Sequence, residues 1–313
     1  MLLDIVLLIV GFILLMKGAD EFVEGASKIA SLLHIPQIVI GLTIVAFGTS
    51  APEAAVSIAS SFKGTAGIAI GNIIGSNIAN VLLILGVSGM ISALAVKKNT
   101  YFIETPFVIF ISIVLLLIGY SGGSISRFDG IILWGLFLLF LGYLYYLTKH
   151  GDENAIDDVP ELEEGDRMWK LLLIVVLGMI CVVVGSQVTV DAASRIAQLF
   201  GVSDRIIGLT IVSIGTSLPE LVTSVNASIK GKNDIAIGNI IGSNIFNILF
   251  VLGTAALVSP NAIPFASHFV IDGLISIGAV IMFMIFIDKE KRLRKYGAFV
   301  MLLSYVGYLI YIL

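Results

Sequence analysis

Two short segments hold the residues of this chain that could do chemistry, and each segment occurs twice. GTSAPE covers Gly48–Glu53 and GTSLPE covers Gly215–Glu220, while GNIIGSN covers both Gly71–Asn77 and Gly238–Asn244. All four lie inside apolar runs. Glu53 and Glu220 are decisive, because a carboxylate at the centre of a bilayer costs roughly 3 kcal/mol on insertion scales. Pro52 and Pro219 have no backbone donor. They interrupt a helix and should leave carbonyls near Ala46 and Thr49, and near Ser213 and Thr216, without helical partners. Ser50 and Ser217 belong to the same breaks. The second segment adds Ser76, Asn77 and Asn80, and in the other copy Ser243, Asn244 and Asn247; Ser76 and Asn80 are spaced i,i+4 and share a face. Every one of these groups offers oxygen. Carboxylates, carbonyls, hydroxyls and amides without His or Cys suit a hard cation, calcium above magnesium because calcium accepts irregular sets of six to eight oxygens. The Gly71–Gly75 and Gly238–Gly242 pairs read first as close helix packing.

The elements that must position these groups are membrane spans. The chain has 313 residues, 58% hydrophobic and 13% charged, with a mean hydropathy of +1.06. A soluble chain carries about 25% charged residues. Ten apolar stretches are long enough to cross a bilayer: 2–32, 37–60, 66–92, 101–120, 128–147, 169–199, 204–229, 235–258, 266–287 and 296–313. Asp4 near the start argues for a span rather than a signal peptide. A net charge of −4, with no basic tract beyond Lys289–Lys295, argues against nucleic acid as a partner. The single Cys181 excludes an internal disulfide framework and any Cys-based metal cluster.

Residues 40–86 and 207–253 align without a gap at an offset of 167, with 30 identities in 47 positions. A weaker match runs back through Glu24–Ala30 and Asp191–Ala197. The expected fold is therefore all-α and integral to the membrane, with ten transmembrane helices forming two five-helix repeats, 1–147 and 169–313. Five is odd, so the second repeat must enter from the opposite side, the inverted topology of alternating-access transporters. Between the repeats, 148–168 reads as an acidic cytoplasmic linker. Lys and Arg mark the cytoplasmic side. With both termini outside, 13 of them fall on cytoplasmic connections and four (Lys63, Arg127, Arg195, Arg205) outside.

These residues resemble the cation/calcium exchanger superfamily, and within it the sodium/calcium exchangers of prokaryotic type. The resemblance covers essentially the whole chain and rests on the doubled GTSxPE and GNIIGSN segments with Asn80 and Asn247. It implies a core of the second, third, seventh and eighth spans, with the long first and sixth spans moving across it. It also implies that Glu53 and Glu220 chelate calcium with the carbonyls of Thr49 and Thr216. One flanking sodium site would use Ser76, Glu53 and the Ser213 carbonyl; the other would use Ser243, Glu220 and the Ala46 carbonyl. Three sodium ions would exchange for one calcium. Potassium-dependent relatives typically have Asp at the position of Asn247, so potassium independence is implied. Proton/calcium antiport is the alternative, although the Glu-His of proton-coupled relatives is absent from the second Gly-Asn segment.

No cofactor, no enzymatic activity and no nucleic-acid partner are expected; the partners are calcium, sodium and the bilayer of the cell membrane, and a monomer suffices for transport. A membrane hydrolase would need a nucleophile with a base or metal ligands, and His34, His150 and His268 lie away from both GTSxPE segments. A calcium channel is the other rival, distinguished by flux that ignores the counter-ion. Lys17, Asp20, Glu21 and Glu24 read as a polar vestibule face, with Lys17 and Glu21 spaced to pair. His268 and Asp272 read as structural.

Overall fold

The computed structural model describes residues 1–62, 67–150, 162, 167–201 and 213–312. Two helices of 32 residues, α1 (Leu2–Leu33) and α7 (Met168–Leu199), lie against one another along their lengths. Both are apolar on nearly all sides, and residues such as Leu3, Ile13, Leu173 and Leu177 remain exposed in the protein, as a lipid-facing helix requires. Glycines set how closely the pair approaches. A Cβ on Gly178 would meet the Phe22 amide nitrogen at 2.8 Å and the Gly18 carbonyl at 2.9 Å; one on Gly185 would meet the Leu15 nitrogen at 2.7 Å and the Gly11 carbonyl at 2.9 Å. Helix α1 stops at His34, whose φ of 53° lets its amide turn back to the Ala30 and Ser31 carbonyls, two residues before Pro36.

The next span is broken. Helices α2 (Gln37–Thr49) and α3 (Ala51–Phe62) meet at Ser50 with a bend of 53°. They are followed by α4 (Gly67–Ile91), α5 (Thr100–Gly122) and α6 (Arg127–His150). Beyond α7, the short α8 (Ser213–Thr216) and α9 (Leu218–Ile229) meet at Ser217, and α10 (Asn233–Val258), α11 (Ser267–Phe286) and α12 (Lys295–Ile312) follow. Among the described residues eight helices are long and apolar enough to cross a membrane, nine with the bent pair. The expected seventh span, 204–229, is described only from Ser213. Most of the acidic stretch 148–168 lies outside the described residues.

Helices α4 and α10 sit at the centre. Their isoleucines, among them Ile70, Ile73, Ile78, Ile240, Ile241 and Ile245, are buried in one continuous apolar core with α5, α6, α11 and α12. Each central helix widens into a π-helical turn, at Asn80–Ile84 in α4 and at Asn247–Leu252 in α10. After its first asparagine each turn is wholly apolar, so periodicity carried no sign of them. Two small antiparallel pairs join connecting loops: β1 (Leu94–Ala95) with β4 (Arg292–Leu293), and β2 (Ser124–Ile125) with β3 (Ile263–Pro264).

Candidate cation site

The two helix breaks build the site. Ser50 (φ −82°, ψ 6°) and Ser217 (φ −91°, ψ 7°) hold nearly the same non-helical backbone, in the sparsely populated bridge between helix and strand conformations. Pro52 and Pro219 are the second residues of α3 and α9. A proline there removes the amide that would bond the carbonyl four residues back, which belongs to Gly48 or Gly215. Both positions fall within the stretches expected to hold freed carbonyls, near Ala46 and Thr49 and near Ser213 and Thr216. The Ala46 carbonyl still accepts the Ser50 amide at 3.0 Å, although a carbonyl has a second lone pair to share. The Gly215 carbonyl accepts the Ser186 hydroxyl of α7 at 2.8 Å.

Glu53 and Glu220 lie one turn beyond the breaks and are each 1% exposed. Each is held by a serine from the other half. Ser50 Oγ donates to Glu220 Oε1 at 2.7 Å, and Ser217 Oγ donates to Glu53 Oε1 at 3.3 Å. The second oxygen of each carboxylate, Oε2, is buried with no hydrogen-bond partner among the described residues. The same crossing recurs between α4 and α10. Asn80 Nδ2 donates to Asn244 Oδ1 at 3.0 Å, and Asn247 Nδ2 donates to Asn77 Oδ1 at 3.1 Å. The amides of Asn77 and Asn244 donate to each other's backbone carbonyls, both at 3.3 Å. With their NH₂ groups engaged, Asn80 and Asn247 keep Oδ1 buried and unpartnered, as is Ser243 Oγ.

A layer of asparagines behind the site went unread in the sequence. Asn72 donates to Ser57 Oγ at 3.0 Å and to the Glu53 carbonyl at 3.5 Å; Asn239 donates to Ser224 Oγ at 2.8 Å and to the Glu220 carbonyl at 3.4 Å. Thr49 Oγ1 donates to Asn239 Oδ1 at 2.9 Å. The available signal was that Asn72 and Asn239 open the repeated NIIGSN. The bonds from Asn72 and from Asn239 match one another at an offset of 167. Ser76 is buried beside Asn77, and Thr216 is half-buried. Ser213 begins α8, and its side chain lies outside the described set.

Gly238 and Gly242 let α2 approach α10. A Cβ on Gly242 would meet Leu42 Cα at 2.7 Å and Ala46 Cβ at 2.8 Å. The matching contact for Gly71 and Gly75 would fall on residues 208–209, outside the described residues. Asp20 and Glu24 of α1 pair across to the α9–α10 turn. Lys230 reaches Asp20 at 2.5 Å and Glu24 at 3.3 Å, and Lys232 reaches Glu24 at 3.5 Å. Burial lowers the Lys232 ammonium's proton affinity, with Glu24 opposing that effect. Asp272 is hydrogen-bonded to Tyr308 and feels His268.

Two carboxylates, two amide oxygens and a hydroxyl thus keep buried lone pairs without a hydrogen-bond partner among the described residues. Uncompensated charge of this kind is costly when buried, and a bound cation supplies both the charge and the missing contacts. The donor set is all oxygen. Among the described residues no group of three or more His, Cys, Asp or Glu gathers to hold a metal, at this site or elsewhere.

The comparisons agree with this chemistry. A family model described as sodium/calcium exchanger protein matches residues 3–146 and 170–313. The putative antiporter CaxA of Alkalimonas amylolytica is 39% identical over 317 residues, covering 98% of each chain. The sodium/calcium exchanger MaX1 of Methanosarcina acetivorans is 32% identical over 344 residues, covering 98% of this chain and 97% of its own. A solved structure of the sodium-calcium exchanger NCX_Mj, soaked with sodium and strontium, superposes with a TM-score of 0.83 at 32% identity, covering 99% of this chain and 98% of that one.

Proposed function

We propose a function for this chain from one premise: it belongs to the sodium/calcium exchanger family. It is a secondary antiporter that exchanges sodium for calcium at the paired-glutamate site. The observation that carries this reading is the set of bare, buried oxygens on Glu53, Glu220, Asn80 and Asn247. Calcium takes Oε2 of both glutamates, with the carbonyls of Thr49 and Thr216 and the amide oxygens beside them. Sodium occupies flanking positions that share those carboxylates, Ser76 with Glu53 and the Ser213 carbonyl on one side, Ser243 with Glu220 and the Ala46 carbonyl on the other. Shared ligands make the ions compete, and competition is what couples their movements.

The architecture behind the cycle is ten spans in two inverted repeats, 1–147 and 169–313, joined by a cytoplasmic linker. Support comes from the bonds matched at an offset of 167 and from the family model matching each half separately. The α1/α7 pair moves across the core to switch access, and both termini lie outside. Exchange of three sodium ions for one calcium moves one net charge, worth about 2.3 kcal/mol per 100 mV. With Asn80 and Asn247 both neutral, the site has only two negative charges, which leaves no extra carboxylate for potassium.

Calcium uptake into proteoliposomes tests the reading. Uptake should follow an outward sodium gradient, ignore potassium and respond to membrane potential; uptake driven only by protons would replace it with proton/calcium antiport. Glu53→Gln and Glu220→Gln should each abolish exchange, and normal exchange in either would remove the site assignment.

A further inference from the structure

The β1–β4 joint stands where four spans end together. Helix α4 runs into β1 and β1 leads to α5; α11 leads to β4 and β4 enters α12. Leu94 faces Leu293, Ala95 faces Arg292, and the Val96 amide donates to the Lys291 carbonyl at 2.7 Å. This pairing sets Lys97 and Lys98 beside Lys289, Lys291, Arg292, Arg294 and Lys295. Two of these bases are matched. Lys97 pairs with Asp234 at 2.7 Å, and Arg294 bonds both Asp288 and Glu290. The hydrogen bond from Arg294 holds the Asp288 carboxyl below the ordinary carboxylate range, so that acid is already committed. Lys98, Lys289, Arg292 and Lys295 have no carboxylate partner among the described residues.

Lys291 is held in an unusual way. Its φ is 59°, a left-handed backbone seldom adopted outside glycine, and its ammonium lies 3.4 Å from the Tyr101 ring centre and 4.6 Å from that of Phe102. The ring contact holds the cation without neutralising it. Phe102 and Tyr296 are exposed beside the bases, as aromatic side chains are at the level of lipid headgroups. The second joint is an internal comparison. The β2–β3 pair has the same two-residue antiparallel form, yet among the described residues Arg127 is the only Lys or Arg around it, and it donates to the Ser259 carbonyl at 3.1 Å. Closing the joint does not require the basic cluster.

We propose that the β1–β4 joint binds the phosphate headgroup of an anionic phospholipid, with Lys98, Lys291 and Arg292 as its principal donors and Phe102 and Tyr296 beside the lipid's glycerol and upper acyl region. A lipid fits better than a soluble anion, because the cations sit at the shared end of four apolar spans with exposed rings next to them. Helix α4, which bears Ser76 and Asn80, ends at this joint, so the headgroup also braces one end of an ion-site helix.

The test uses the full-length protein in detergent, titrated with phosphatidylglycerol or phosphatidylcholine and read by native mass spectrometry. The wild type should retain phosphatidylglycerol in preference to phosphatidylcholine. The triple variant Lys98→Gln/Lys291→Gln/Arg292→Gln should lose that preference about tenfold, while Lys149→Gln/Lys170→Gln, which removes two bases elsewhere, should keep it. Equal loss in both variants, or no preference in the wild type, overturns the proposal. Displacement of the lipid by millimolar inorganic phosphate would also overturn it, since the site would then be one for the free anion. The thermal melt of the triple variant checks that the fold persists.

Discussion

Glu53 and Glu220 each spend one oxygen on a serine of the opposite half and leave the other bare. The asparagines behave alike, with amides tied and carbonyl oxygens turned inward. Asn77 and Asn244 are the residues that orient the pair. Asn244→Ala removes the acceptor of the Asn80 amide and the donor to the Asn77 carbonyl. Calcium affinity measured by titration calorimetry should fall about 10- to 100-fold, the usual effect of losing an outer partner of a metal ligand, with the helical fold intact by circular dichroism; unchanged affinity would deny the orienting role. Both carboxylates must be ionised to hold calcium, so protons compete with it. Apparent calcium affinity should weaken as pH falls from about 8 to about 5, and a flat profile over that range would count against the site. Glu53 and Glu220 were legible in the sequence, since few reasons keep a carboxylate in an apolar run. The crossed serine bonds were not, because each joins residues more than 160 positions apart and only the packed helices bring them together.

At the scale of elements, the breaks were legible from proline and their details were not. The sequence placed a discontinuity before Glu53 and Glu220, but the carbonyl left without its helical donor is set by the proline's place as the second residue of its helix. The π-helical turns at Asn80 and Asn247 left no mark, since a single asparagine ahead of apolar residues fits an α-helix as well as a π-turn. The α1–α7 seam did leave one, Gly11 and Gly18 recurring as Gly178 and Gly185 at the repeat offset. Its packing makes a prediction. Gly178→Val would press a side chain on the backbone of Phe22 and Gly18, and should cost about 1–3 kcal/mol of stability and slow exchange. Gly307, with no described atom within 4 Å of an added Cβ, should accept Ala with no loss and a gain of up to about 1 kcal/mol. Thermal unfolding in detergent compares the two; the opposite order would mean that the seam does not govern this interface.

For the whole molecule, orientation is the claim most exposed to test. In a Cys181→Ser background, a membrane-impermeant maleimide applied to right-side-out vesicles should label Ser121→Cys, beside the β2–β3 joint, and spare Glu290→Cys, beside the β1–β4 joint. The reverse pattern would invert the proposed topology. The charge bias is the ground for the proposed arrangement, because among the described residues bases gather around one joint and almost vanish from the other. The pairing of the joints themselves was hidden, since strands of two residues carry no pattern of their own. The crossed bonds have a further consequence. A half of this protein by itself holds a glutamate without its serine and an asparagine without its orienting partner. Neither half can make a working site, but two copies of one half, inserted in opposite senses, could supply each other. A homodimer of one half, inserted in both senses, would already hold the whole site. The chain severed within residues 151–161 and expressed as two fragments should therefore reassemble into an active exchanger.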